Sequence, residues 1–263
     1  MPVNTQPLTA CTGERLRASR LSGFTLTELT VVLVIVALLL GGLLVPLSSQ
    51  IDIRNINDNR QAMAEIREAL LGFALVNRYF PCPALPNVAS GNWDDDDQDA
   101  GVEKRTEAGA CTLQAGVLPW ATLGVPETDP WGRRYGYRVT PAFSKSPPLP
   151  PFTLDSTGDM VIRPFADSTG GNAKLADNVP VVVVSYGRNG NGAYTPQGTA
   201  LPRGTDADEM ENQVLFTTGV WADSPVVKEF VKRSAPTATY DDEVVWISPG
   251  VLFNRMVAAG KLP

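Results

Sequence analysis

Residues 21–47 read LSGFTLTELTVVLVIVALLLGGLLVPL. From 24 to 47 the single charged side chain is Glu28. A helix needs roughly 20 apolar residues to cross a hydrocarbon core, and this run supplies them. A carboxylate inside such a run costs about 2.5–3.5 kcal/mol on insertion scales, so its presence points to a role. Arg15, Arg17 and Arg20 precede the run. By the positive-inside rule they hold the N-terminus in the cytoplasm. A secretory signal peptide has a shorter apolar core, about 7–15 residues, and ends at a small-residue cleavage site. This run is longer and no A-x-A follows it. A plain membrane anchor is the other simple reading.

The stretch Gly23-Phe24-Thr25-Leu26-Thr27-Glu28, followed by the apolar tail, resembles the processing site of type IV prepilins and of the pseudopilins of type II secretion. Those families are cut after the Gly by prepilin peptidase and methylated on the new amino terminus, and they keep the hydrophobic helix. The resemblance implies a cytoplasmic leader over 1–23, cleaved between Gly23 and Phe24, and a transmembrane and assembly helix over 24–47. It implies a pilin-like domain over 48–263, periplasmic at first and then on a filament or the cell surface. Glu28 takes the assembly role, meeting a neighbouring subunit's amino terminus. The implied partners are prepilin peptidase, other pilin or pseudopilin subunits, an inner-membrane assembly platform and membrane lipid. The large exported part favours a minor pilin or pseudopilin. The alternative from another class is a binding module at a filament tip, an adhesin or a receptor for secreted substrates.

Bulk properties agree with an exported structural protein. The formal charge is −6, and segment 1–23 holds Glu14 against three arginines, which leaves −8 on the remainder. An acidic domain argues against nucleic acid as a general partner, because phosphate binding needs a basic face. There is no histidine. The commonest general base and the commonest zinc ligand are therefore missing. No G-x-S-x-G, P-loop or H-E-x-x-H motif occurs, so an enzyme is not expected. Of the three cysteines, Cys11 lies in the leader. Cys82 and Cys111 remain as a pair for an oxidising compartment, and a disulfide between them is expected.

Gly41, Gly42 and Pro46 predict a kink or a melted turn near 41–46. Beyond them, Ile56, Met63, Ile66, Leu70, Phe73 and Asn77 recur at helical spacing, apolar up to the Asn. That predicts an amphipathic helix over 50–79, stopped by Pro81 and Pro83. Residues 81–133 read as irregular. Strands are expected at 134–139, 179–186, 213–217 and 243–247, with 181–184 central because it is apolar on both faces. Residues 141–151 and 187–212 read as loops, and 249–259 as a short terminal helix before Gly260. One long helix followed by strands without β–α alternation predicts an α+β fold. The resemblance sharpens it to a pilin-like architecture: a long N-terminal helix, membrane half plus amphipathic half, on an antiparallel sheet, with irregular loops and a short C-terminal helix.

Two constellations stand out. Residues 94–99 carry five aspartates in six positions. Crowded carboxylates repel unless solvated or bound to a cation. Asp95, Asp97 and Asp99 alternate as calcium ligands do, but the glycine of an EF-hand loop falls one residue late, at Gly101. A solvated acidic loop and a calcium site both fit; no other cofactor is implied. The second is Asp129-Pro130-Trp131-Gly132-Arg133-Arg134-Tyr135-Gly136-Tyr137, which resembles the D-P-W-G-x-x-Y-x-Y segment of major pseudopilins. Read from its residues, it is a turn entering a strand, with Trp131 anchored in the core. Asp206 to Asn212 reads as an acidic surface loop, and Asp241-Asp242-Glu243 as a solvated strand entry.

Overall fold

The computed structural model describes residues 23–91, 100–166, 173–213 and 228–262, and of 41–49 the backbone only. The described chain is α+β. It parts into two compact units between Gln50 and Ile51.

Helix α1 is Leu26–Asn77. Its assignment runs through Gly41, Gly42 and Pro46 without a break, so the expected melted turn does not occur. In the first unit its apolar residues are exposed on every side: Val31, Val32, Leu33, Val34, Ile35 and Val36 follow one another, and Leu38 is 72% exposed. Consecutive helical residues step by about 100°, so six in a row cover the whole circumference. Among the described residues no helix is long and apolar enough to cross a membrane. The described side chains of the apolar run stop at Leu40.

In the second unit α1 buries one stripe. Met63, Ile66, Leu70, Leu71 and Ala74 are fully buried, while Glu65, Glu68 and Val76 stay exposed. The helix ends at Asn77, whose amide donates to the Phe73 carbonyl, and Arg78 follows at φ 65°. Opposite the stripe lies a four-stranded antiparallel sheet of order β1 (Ala115–Val117), β2 (Gly136–Val139), β5 (Val181–Ser185), β7 (Glu243–Ile247). The register pairs Tyr137 with Val183 and Val183 with Val245. β5 is central, as its double-sided apolar run requires. Val181 and Val183 join the α1 core with Tyr135, Tyr137 and Val139; Val182 and Val184 face the other way.

What they face was not expected. A second sheet, β4 (Ala176–Val179), β3 (Met160–Arg163), β6 (Glu229–Val231), supplies Met160, Ile162, Val179 and Phe230 to that core. It is mixed: β3 pairs antiparallel with β4 but parallel with β6. The chain changes sheets at Pro180, which lacks the N–H to continue a ladder. The terminal helix α4, Pro249–Ala258, starts under a Ser248 cap and buries Leu252 and Met256 in the α1 core. The layers are thus helices, sheet, sheet. Residue 213 lies outside any strand, and 214–217 are not described. Within the stretch read as irregular, the short helix α2 is Trp120–Leu123; residues 207–212, expected as loop, form helix α3, Ala207–Asn212.

The irregular stretch after α1 is tied down by polar groups. The Cys82 and Cys111 sulfurs lie 1.99 Å apart, a disulfide closing 29 residues of sequence separation. The fully buried Arg134 spends five N–H groups on Glu127, the Pro86, Val88 and Pro196 carbonyls and Ser90, and stacks on Trp120 at 4.6 Å. Arg138, also fully buried, grips Asp159 with two bonds of 2.8–2.9 Å. In the D-P-W-G turn, Asp129 accepts from the Trp131 and Arg133 amides at 3.0 Å and from the Ser185 hydroxyl at 3.1 Å. The core anchors are Tyr135 and Tyr137, not the half-buried Trp131. Trp131 sits in the turn itself, ahead of the strand that enters the core.

Candidate functional site

Two places carry functional groups: the start of α1 and an acidic cluster far along the chain. At the first, Gly23 and Phe24 are exposed, Phe24 at 85%. The Thr25 N–H and Oγ1 both donate to Glu28 Oε2 at 2.9 Å, and the Glu28 N–H donates back to Thr25 Oγ1 at 3.3 Å. This is a capping box, T-x-x-E, which satisfies amide groups that a helix start leaves orphaned. Glu28 therefore has a local task beside the assembly role expected of it. It defines where the helix begins, two residues after the Gly23–Phe24 peptide bond. Its carboxylate also stands where the helix dipole favours an anion.

Asp95, Asp97 and Asp99, the expected calcium ligands, lie outside the described residues. The disulfide pair Cys82 and Cys111 is brought together as above.

The acidic cluster departs from the loop and strand entry that its sequence predicts. Asp206 caps α3 by accepting from the Asp208 amide at 2.9 Å. Asp208 and Asp206 both face Arg233, whose guanidinium stacks over Tyr240 at 4.9 Å. The next residue, Glu209, is fully buried. Its carboxylate accepts from the Asn189 and Asn191 side-chain amides and from the Asp241 backbone amide at 3.3 Å. One oxygen each of Glu209, Asp241 and Asp242 lie within 4.8 Å of one another. Asp242 is only 5% exposed and takes one bond, from Asn212 at 3.0 Å. Burial, joined by the neighbouring Glu209, Asp241 and Asp206 charges and only partly opposed by the Asn212 bond, pushes its carboxyl well above the usual range. Among the described residues no lysine or arginine forms an ion pair with Glu209, Asp241 or Asp242.

The surrounding loop is built for close approach. Asn189 Oδ1 accepts from the Asn191 amide at 2.9 Å, an Asx turn. Gly187, at φ 57°, packs so tightly that a Cβ there would sit 2.3 Å from the Asp241 carbonyl oxygen. Asp241 and Asp242 also line a cavity of about 230 Å³ bordered by Ile56, Arg60, Arg188 and the 233–240 segment. The reading of Asp206–Asn212 as surface loop and of Asp242 as solvated is thus corrected: Asp208, Glu209, Asn212 and Asp242 are buried. The local signal was present, since Asp206-x-x-Glu209 is a helix-start pattern. The meeting of Glu209 with Asp241 and Asp242, some thirty residues on, leaves no such local trace.

No family model, curated protein or solved structure matches this chain.

Proposed function

We propose that this protein is a structural subunit of a type IV pilus or type II secretion filament, a minor pilin or pseudopilin with a pilin-like fold. Prepilin peptidase cuts it after Gly23, and the new Phe24 amine is methylated. It is held in the inner membrane by residues 24–47, with the domain in the periplasm. It then leaves the membrane to join a filament. The observation that carries this reading is a pair of facts at one place. The motif Gly23-Phe24-Thr25-Leu26-Thr27-Glu28 opens a helix, and the apolar residues following it are exposed on every side. A helix hydrophobic all round needs cover, from lipid or from like helices. A filament core of packed α1 segments supplies the second, and the bilayer the first.

Glu28 in a neighbour's reach of a Phe24 amine pairs opposite charges in low dielectric and offsets part of their desolvation. The test is mass spectrometry of the N-terminus from membranes of the native host. An N-methylated Phe24 supports the reading; an intact N-terminus, or a cut elsewhere, ends it. A second reading, a filament-tip binding module, draws on one observation. An open groove is lined by Phe165, Leu175 and Trp246, with Lys232 and Arg233 beside them. If filaments form normally without this protein but lose adhesion or cargo, the second reading is favoured.

A further inference from the structure

We propose that Glu209, Asp241 and Asp242 bind one hard divalent cation of the calcium class. The inference is independent of the filament reading. Three carboxylates from two distant segments converge within 4.8 Å, largely out of water, with amides as their only described partners. Like charges at that distance repel strongly where water is excluded.

The independent observation is a set of unfilled acceptors. Asp242, nineteen-twentieths buried, has an Oδ1 with no hydrogen-bond partner, and the buried Oδ1 of Asp241 has none either. A buried acceptor left unpaired is costly, and ionised ones most of all. A cation is the group that satisfies several such oxygens at once. The donor chemistry selects its class. The cluster is all oxygen, with no histidine in the chain and both described cysteines in the disulfide, so soft and imidazole-seeking metals have no ligand here. Three carboxylates offer up to six oxygens, and the cavity beside Asp241 and Asp242 admits water for further positions. Calcium accepts six to eight oxygens in irregular geometry; magnesium demands a near-ideal octahedron and dehydrates reluctantly. The Asn191 amide, which donates to Glu209, presents its oxygen instead when the group turns over.

The consequence is a clasp. A cation there joins α3, the 187–192 loop that supports Glu209, and the segment leading into β7. Binding to the native state alone raises the melting temperature by mass action.

The test uses the full-length protein in detergent, melted in millimolar calcium, in magnesium and in chelator. Calcium about 100-fold above its dissociation constant is expected to raise the melting temperature by roughly 5–10 °C, and magnesium by less. Glu209→Gln and Asp242→Asn keep their shapes and should lose that response. In chelator Asp242→Asn should melt at or above the unaltered protein, because one repelling buried charge is gone and its Oδ1 accepts no bond that the amide would lose. The triple change Asp95→Asn, Asp97→Asn, Asp99→Asn should keep the response in full. Equilibrium dialysis of the unaltered protein with calcium gives a readout that needs no variant, and one ion per chain is expected. Equal melting in calcium and chelator, no bound ion, or a response lost in the triple variant and kept in Glu209→Gln would each overturn the proposal.

Discussion

Helix α1 uses apolar residues in two ways. Along 26–40 they point in all directions and lie exposed; along 63–74 they form one stripe and are buried. The first pattern has no face to offer a folded domain, so it asks for an environment, lipid or a ring of similar helices. The second has a polar face for water and an apolar face for a sheet, so its own chain can complete it. The difference teaches that the amount of apolar surface does not fix a helix's partner. The angular distribution does.

The sharpest test of the contrast is a truncation in each half. Leu70→Ala empties a fully buried place in the core against β2 and β5. It should cost about 2–5 kcal/mol, toward the upper end because the neighbours are held by two sheets and a disulfide. The measurement is the denaturant midpoint of the domain transition. A cost below about 1 kcal/mol would mean that α1 is not part of the core. Next comes the anchor just beyond the buried stripe. Replacing Cys82 and Cys111 together by Ala frees the segment they close and should cost about 3–4 kcal/mol by the loop-entropy account. Unreduced, denatured protein should show neither of these thiols reactive; two reactive groups there refute the bridge.

Just before the buried stripe, Ile56 and Arg60 of α1 share a cavity with an acid whose titration has a definite sign. The Asp242 carboxyl is raised, so the folded state holds its proton more tightly than the unfolded chain does. Its contribution is complete below the unfolded carboxylate range and is lost as pH rises through the folded value. In chelator, then, Asp242→Asn should gain on the unaltered protein as pH rises from about 4 to 8. Parallel stability curves across that range would contradict the assignment. Calcium should shrink the gap.

The smallest stability effects belong to the exposed half. Leu33→Ala should leave the domain transition unchanged within about 0.5 kcal/mol. Glu28→Ala loses the capping box at the helix start, with no expected change in the domain transition. Its effect is expected in assembly: a membrane-inserted protein that enters filaments poorly, read by immunoblot of sheared filaments. Normal incorporation would remove Glu28 from that role.

Several features were legible in the chain because they are local. The exposed and striped halves of α1 follow from spacing. The central place of β5 follows from a run apolar on both faces, β7 from its β-branched residues, and α4 from its proline start and the Gly260 that ends it. The second sheet was not legible. β3, β4 and β6 are three or four residues long, and β6 pairs in parallel with a strand more than sixty residues earlier. Such pairing depends on what lies across the space, not on what lies beside it in sequence.

By itself the sequence determined the run of apolar residues on every side of the first half of α1, the Cys82–Cys111 pair and the α+β class. Periodicity and composition act within a few turns of chain. Only tertiary structure decided that Arg134 is buried with a partner for each of its N–H groups and Arg138 against Asp159, whereas the buried Glu209 and Asp242 have no lysine or arginine ion pair among the described residues. A charge in the sequence carries no mark of its burial. Its free energy is set by the dielectric and the partners that distant segments bring to it.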